Sequence, residues 1–454
     1  MSERLSIFHF RQNAAEAVVN RSLRHAMRTA TDMFAIKRAE GIECVPMESW
    51  RDHASAIRMQ VLDDLPAYLD RFCASARRTG AVVHRAKDGE AARDVVVSIL
   101  KDHGARKIVK AKSMVTEEIH LNPHLEACGM EVVETDLGEY IVQIAGETPS
   151  HILAPAIHKS RQDVGQLFAE KLGVDYSDDP TVLVKIARNA LRKEFLTADA
   201  GITGANFAVA DSGSLVIFTN EGNGRMVTTI PPLHIAVLTI EKIIPSLAVL
   251  PLFIRLLARS ATGQSISSYL SVITGPKRAG EATGAKELHI VLVDNGRSEI
   301  LSADFREILK CIRCSACMNV CPVYRVVGGH AYGSTYSGPM GIVLTTLLDG
   351  IERTYPLLDA TTLCGACVEV CPVRVPLVKL LSMLRERRVD KSFTPSIERV
   401  TMASYALATR SPFLFALGQK ISRALWPAAR RIFGRAVLDR LPRPVKKTFS
   451  RRMF

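Results

Sequence analysis

A chain of 454 residues, 47% apolar and 23% charged, has room for two or three domains that each bury a core. Its net charge of +13 sits almost wholly at one end: from Arg399 onward there are 13 Lys and Arg against one acid, Asp439. The body is therefore nearly neutral, which excludes any argument for a polyanion-binding body from bulk charge.

In chain order, residues 1–75 read as a helical arm and a possible interaction surface. Asn13 to Ile36 has few helix breakers, and Trp50 to Phe72 sets Ile57, Val61, Leu62, Leu65 and Leu69 at helical intervals. The first residues, Met1-Ser-Glu-Arg, carry charges where a secretory signal needs an apolar core. From Thr79 to Asp294 short apolar runs alternate with amphipathic stretches. Ala81–His84, Lys107–Lys110, Met130–Asp136, Ile235–Ile240 and His289–Val293 read as strands, and Gly89–His103 as a helix. Ala208–Ala210 and Leu215–Phe218 read as a hairpin joined by Asp211–Ser214. Leu191–Ala200 reads as helix, followed by a turn at Gly201–Gly204. This alternation predicts an α/β domain with a largely parallel sheet over 76–298. The longest apolar run, Ile243 to Ile254, holds 12 residues and two prolines, too short to span a bilayer.

The strongest signal follows. After a helix over Leu301–Lys310 comes Cys311-x2-Cys314-x2-Cys317-x3-Cys321-Pro322, then 41 residues, then Cys364-x2-Cys367-x3-Cys371-Pro372. The first run has the spacing of bacterial two-cluster ferredoxins, in which three cysteines close around one 4Fe–4S cube and the fourth serves the other cluster. Crossing ligation assigns Cys311, Cys314, Cys317 and Cys371 to cluster 1, and Cys321, Cys364 and Cys367 to cluster 2. Thr361 stands where the second motif would have its first cysteine, so the fourth iron of cluster 2 has Thr361, water, another side chain or a partner as its ligand, or is absent as 3Fe–4S. Zinc fits seven cysteines with two Cys-Pro endings poorly. Disulfides do not suit a reduced, cytoplasmic chain, and Cys44, Cys73 and Cys128 are scattered. The long connection, with helices at Gly341–Leu348 and Leu377–Arg387, predicts a helical ferredoxin module over 299–391.

Other constellations carry less. Asn220–Arg225 is a polar, glycine-rich loop after a strand, where Glu221 and Arg225 would suit a small acid or a nucleophilic carboxylate, or where its glycines simply make a turn. Gly275–Gly280 lacks the Lys-Ser/Thr of a phosphate loop, and no G-x-G-x-x-G follows a strand, so no nucleotide cofactor is expected. His120, His124 and Cys128 lie at four-residue intervals, but Pro123 near a helix start puts His120 outside the helix. The tail over 392–454 sets Phe413, Phe415, Ile421, Leu425, Trp426, Ile432 and Phe433 among basic residues, divided by Pro427 and Pro442. No nucleic-acid module is present, so no nucleic acid is expected. An anionic membrane surface, an acidic partner or plain solvation suits the tail, the first placing the protein peripherally on the inner face of the membrane.

The cysteine set, with Lys110–Ile119, Glu134–Gln143, Gly204–Gly213, Glu221–Arg225 and Gly329–Gly333, resembles the lactate utilization protein B family over most of the chain. The missing eighth cysteine is similar to that family's pattern too. The resemblance implies an α/β domain of the LUD type, similar to CoA-transferase and ribose-phosphate-isomerase folds, fused to an α-helical two-cluster ferredoxin module. It implies two 4Fe–4S clusters on the seven cysteines, electron transport during oxidation of L-lactate to pyruvate, and two partner proteins of the lactate utilization system. It carries no catalytic residue over to the α/β domain, whose chemistry the family leaves open. Three readings compete: an electron-transfer subunit, a catalytic subunit whose α/β domain binds L-lactate while the under-ligated iron acts as Lewis acid, and a redox sensor or scaffold. Arg313 and Arg374, beside the ligands, are candidates for favouring the reduced cluster.

Overall fold

The computed structural model describes residues 6–394 and 396–432. They divide into two compact units, with the boundary between Arg385 and Glu386. The first is built on a six-stranded, wholly parallel sheet in the order β1-β10-β7-β4-β2-β3. These strands are β1 (Val82–Ala86), β2 (Lys107–Lys110), β3 (Glu131–Glu134), β4 (Ala200–Thr203), β7 (Leu233–Thr239) and β10 (Glu287–Val293). A second sheet, β8-β5-β6-β9, joins the hairpin of β5 (Phe207–Val209) and β6 (Ser214–Thr219) to β8 (Ile243–Ile244) and β9 (Tyr269–Ile273).

The central strands are mostly apolar because the parallel sheet is covered on both faces; all seven residues of β7 are buried, His234 and Thr239 among them. One face holds Val96, Leu100, Ile108, Leu121 and Leu125. The other meets Val61, Leu65, Phe72 and Ala76 from two N-terminal helices, Met47–Asp63 and Leu65–Arg78. The second of these crosses the boundary expected at residue 75, so part of the expected arm lies in the sheet core. Gly213 at the hairpin tip has φ +69°, and a Cβ there would lie 2.3 Å from Ala76 N. That close approach is why the Asp211–Ser214 turn carries a glycine.

Three expectations need correction. Gly201 lies in β4 near the sheet centre, and the predicted turn does not form there. A Cβ at Gly201 would stand 2.1 Å from Val227 O, so the glycine serves close packing of a helix, and composition alone suggested a break. The single helix expected over Leu301–Lys310 is a short helix, Arg297–Leu301, and a 3-10 turn, Arg306–Lys310. Pro427 does not divide the tail: it lies inside the helix Pro412–Ile432, which runs beside Ser396–Thr409 in the second unit. Met1–Arg4, Phe433 and Pro442 lie outside the described residues. No helix among the described residues is long and apolar enough to cross a membrane.

Candidate metal centre

The two cysteine motifs fold into near-copies of one loop. In the first, Arg313 and Ser315 take left-handed φ of 59° and 61°; in the second, Leu363 and Gly365 take 54° and 91°. Each loop then enters one helical turn, Ala316–Asn319 or Ala366–Glu369. The turn opens with Met318 N donating to Ser315 O at 2.8 Å, matched by Val368 N to Gly365 O at 2.8 Å. Left-handed residues are costly for side chains other than glycine, and their recurrence on both sides of Cys314 and Cys364 marks a shape imposed by bringing thiols together. Thr361 keeps even the hydrogen bond of the cysteine it stands for. Cys311 Sγ accepts from Arg313 N at 3.4 Å, and Thr361 Oγ1 accepts from Leu363 N at 3.1 Å.

The thiols gather in two sets. Burial pushes Cys314 and Cys317 up, and each is raised further by Cys311 and Cys371. Burial and then Cys311 raise Cys371. Burial, then Cys321 and Cys364, push Cys367 up to about 12, and Cys364 also raises Cys321. Electrostatic contact thus joins Cys311, Cys314, Cys317 and Cys371 on one side and Cys321, Cys364 and Cys367 on the other. A small internal cavity is walled by all four thiols of the first set. Soft thiols converging from tight loops suit iron–sulfur clusters, so the residues fit the group that their spacing suggests.

Buried cations hold these loops. Arg58, from Met47–Asp63, donates to Lys310 O at 3.2 Å, Leu309 O at 2.7 Å and Ile243 O at 2.8 Å, and also to Glu241 O. Burial lowers its guanidinium to about 10. Two turns earlier on the same helix, Arg51 donates to Cys371 O at 2.9 Å and Val368 O at 3.2 Å. Lys310 Nζ reaches Arg374 O at 2.9 Å, tying the first loop to the end of the second. Sequence reasoning missed Arg51, Arg58 and Lys310. The available signal was two arginines seven apart on the face that carries Ile57 and Val61, where solvated charge does not belong.

Arg313 and Arg374 differ in setting. Arg374 is bound at 2.8 Å by both Glu48 and Asp52, which offset its charge. Arg313 is buried over the Tyr336 ring and pairs with Glu241 at 3.2 Å. Burial alone would raise the Glu241 carboxyl, but Arg297 and Arg313 outweigh it and hold it at about 2.

The remaining candidates separate. Glu221 lines a cavity at the carboxyl ends of β2, β4 and β7, bordered also by Arg313 and by no residue of the second cysteine loop. Arg225 is exposed, on the helix Asn223–Thr229, and does not line that cavity. His120 is left-handed and outside the helix Leu121–Ala127, and His120, His124 and Cys128 do not converge. Gly275–Gly280 runs into irregular chain with no helix after it, unlike a phosphate loop.

Residues 69–293 match the LUD domain family, and residues 307–375 match the 4Fe-4S dicluster domain family. Lactate utilization protein B of Bacillus subtilis is 45% identical over 92% of this chain and 88% of its own length. That of Geobacillus thermodenitrificans is 44% identical over 98% and 94%, and that of Lysinibacillus sphaericus 42% over 100% and 95%. The chain belongs to the lactate utilization protein B family. It is an iron–sulfur lactate utilization protein with two 4Fe–4S clusters, and the α/β sheet fused to a ferredoxin-type dicluster module is the architecture expected for a lactate utilization protein B. Among solved structures it is similar to a DUF162 family protein from Deinococcus radiodurans, with 16% identity and a TM-score of 0.29 over 51% of this chain and 98% of that one.

Proposed function

We propose that this chain is the electron-transfer subunit of a system that oxidises L-lactate to pyruvate, working with two partner proteins. The observation that carries the reading is the interlock of the two thiol sets. Each motif gives three cysteines' worth of loop to one set and sends its last cysteine toward the other, across four residues of mostly helical chain, about 6 Å of rise. We assign Cys311, Cys314, Cys317 and Cys371 to one cluster, and Cys321, Cys364 and Cys367 to the other. A 4Fe–4S cluster, when bound, accepts and releases one electron.

The chain's own residues keep the two sites adjacent and rigid. Arg58 and Arg51 pin both loops to one helix by their carbonyls, and burial of Cys314 and Cys371 keeps water from much of the first site. Cys364 is exposed, so the second site opens to solvent and to a docking partner. Electrons then leave or enter by the second site. The Lewis-acid reading has less support, since the cavity holding Glu221 borders the first loop and not the under-ligated one. The basic tail over 392–454 suits peripheral docking at the inner membrane face or on an acidic partner; exposed Tyr405, Phe413 and Phe415 accompany its charge.

Anaerobic reconstitution with the partner proteins tests the reading. Adding L-lactate should bleach the cluster absorbance only when the partners are present. Bleaching of the isolated chain would make it the catalytic subunit instead, and no bleaching in the full mixture would remove it from the electron path.

A further inference from the structure

Successive side chains of a strand point to opposite faces of the sheet, so residues two apart share a face. Glu287 and His289, the first and third residues of β10, are such a pair. Val291 and Val293 continue the same face and share a core with Val96 and Leu100 of the helix Gly89–Asp102. His103 caps the carboxyl end of that helix and comes down beside Glu287. The three side chains therefore meet at the amino-terminal end of β10, the sheet edge opposite the one that the first cysteine loop borders.

His103 Nε2 lies 3.1 Å from Glu287 Oε2, and His289 Nε2 lies 3.6 Å from the same oxygen. One ligand atom from each residue falls within 4.8 Å of the other two. Both rings are set to offer a lone pair. A carbonyl only accepts, so His103 Nδ1 donates to Ile99 O at 2.7 Å, and Nε2 of the neutral ring is left for the site. His289 Nδ1 faces His84 Nε2 at 3.1 Å, and the two rings stack 11° from parallel. His289 is 8% exposed, and its Nε2 is buried without a hydrogen-bond partner. A buried ring nitrogen left bare beside a carboxylate is costly unless something bridges the gap. An ion pair alone does not account for it. A proton on His103 serves the 3.1 Å gap to Glu287, but 3.6 Å is too long for a hydrogen bond from His289. A tetrahedral ion about 2.0–2.1 Å from each ligand holds its ligands about 3.3 Å apart, between the two distances found.

We propose that His103, Glu287 and His289 bind one divalent cation of the zinc class, with the fourth position open to solvent. Two imidazoles and a carboxylate suit zinc and its transition-metal neighbours, whereas magnesium and calcium take oxygen ligands. The side chains of His103 and Glu287 are 29% and 55% exposed, which gives the ion a way in. His84 Nε2 then accepts from His289 Nδ1, the outer hydrogen bond that a ligating histidine makes through its other nitrogen. Glu287 has no lysine or arginine partner among the described residues, so its charge is free for the ion. A second group, Glu147, His158 and His330, offers the same ligand types, but Lys159 Nζ lies 2.6 Å from that carboxylate and takes the place of a cation. The bound ion ties the end of the helix Gly89–Asp102 to β10. The site goes beyond the electron-transfer reading and stands whether or not that reading holds, because no cysteine takes part in it.

The experiment is calorimetry with zinc on the full-length, cluster-loaded protein under anaerobic conditions, followed by X-ray absorption at the zinc edge, with magnesium as control. Zinc should bind saturably with a Kd of about 10 µM or tighter, magnesium should not bind, and iron per chain should stay unchanged. The zinc edge should show nitrogen and oxygen neighbours at about 2.0–2.1 Å and no sulfur at about 2.3 Å, which separates this site from every cysteine of the chain. His103→Gln and Glu287→Gln, both at exposed positions where folding tolerates the change, should each weaken binding by about tenfold or more. Glu147→Gln should leave it unchanged. The proposal is overturned if no zinc binds up to about 100 µM, enough to fill a site with a Kd of about 10 µM. It is overturned equally if the zinc edge shows sulfur neighbours, or if binding ignores both His103→Gln and Glu287→Gln. Loss of binding in Glu147→Gln alone would place the ion at the other histidine group, and the site on β10 would not exist.

Discussion

The two cysteine loops share a backbone and differ in everything around it. The first is buried along most of its length, is fastened at Leu309 and Lys310 by Arg58, and faces Glu241 through Arg313. The second is half open: Thr362 and Cys364 are exposed, and its fastenings are Arg51 at one end and Arg385, on Leu358 O and Thr361 O, at the other. One loop has four thiols in its set, the other three and a threonine. The same local fold therefore gives a guarded site and an accessible one, and sequence spacing alone does not distinguish them. Protection comes from the helix Met47–Asp63 and the sheet edge, more than 240 residues away in the chain for the Arg58–Lys310 contact.

The sharpest break of the comparison is removal of single thiols. If ligation crosses, Cys371→Ala should cost the first cluster although it lies in the second motif, and Cys364→Ala should cost the second. Each variant should fall from about eight to about four iron atoms per chain, with different spectra left behind. Iron and sulfide analysis with electron paramagnetic resonance checks this, and identical residual spectra would reject crossed assignment.

Next in size are the buried arginines. Arg58→Met leaves four carbonyls without their charged donor, at a cost of about 3–5 kcal/mol. Arg51→Met loses two such bonds and a largely exposed Glu48 partner, which should cost about 2 kcal/mol. Urea unfolding of the loaded protein should order the variants that way, and the reverse order would mean that the second loop is the better anchored.

Much of this was legible in the chain itself. Spacing located all seven thiols and the odd Thr361, since ligand geometry is local and a two-residue gap is the signal. Apolar runs located β2, β7 and β10, because parallel strands buried on both faces carry no polar alternation. β4 was not legible: Gly201 looks like a breaker until Val227 O is known to lie against it. Nor was the cavity at the strand ends, for Arg313 and Glu221 meet only through sheet order, which places β7 beside β4 across many residues of intervening chain.

The unequal surroundings also predict unequal decay. During brief air exposure the site of Cys321, Cys364 and Cys367 should lose iron roughly tenfold faster, a difference of about 1.4 kcal/mol in barrier. Exposure of Cys364 and the lack of a fourth thiol both act in that direction. A 3Fe–4S resonance growing ahead of the overall loss of absorbance is the expected record. One common rate for both sites would show that burial and ligand count do not govern the loss.

Thr361→Cys isolates the ligand count from the exposure. Thr361 already has the backbone position and the hydrogen bond of Cys311, with Leu363 N at 3.1 Å, so a cysteine enters without rearranging the loop. The substitution exchanges a hydroxyl for a thiol at a half-buried position, and it should change folding stability by no more than about 0.5 kcal/mol. The second site would then have four thiols but the same open face. If the missing thiol causes the lability, the variant should lose its second cluster at nearly the rate of the first, without the 3Fe–4S stage. If Cys364's exposure is the cause, the rate should stay as in the parent protein. A partial gain apportions the two effects, and loss of electron transfer to the partner proteins in a variant that keeps both clusters would show that the iron beside Thr361 needs its place left free of sulfur.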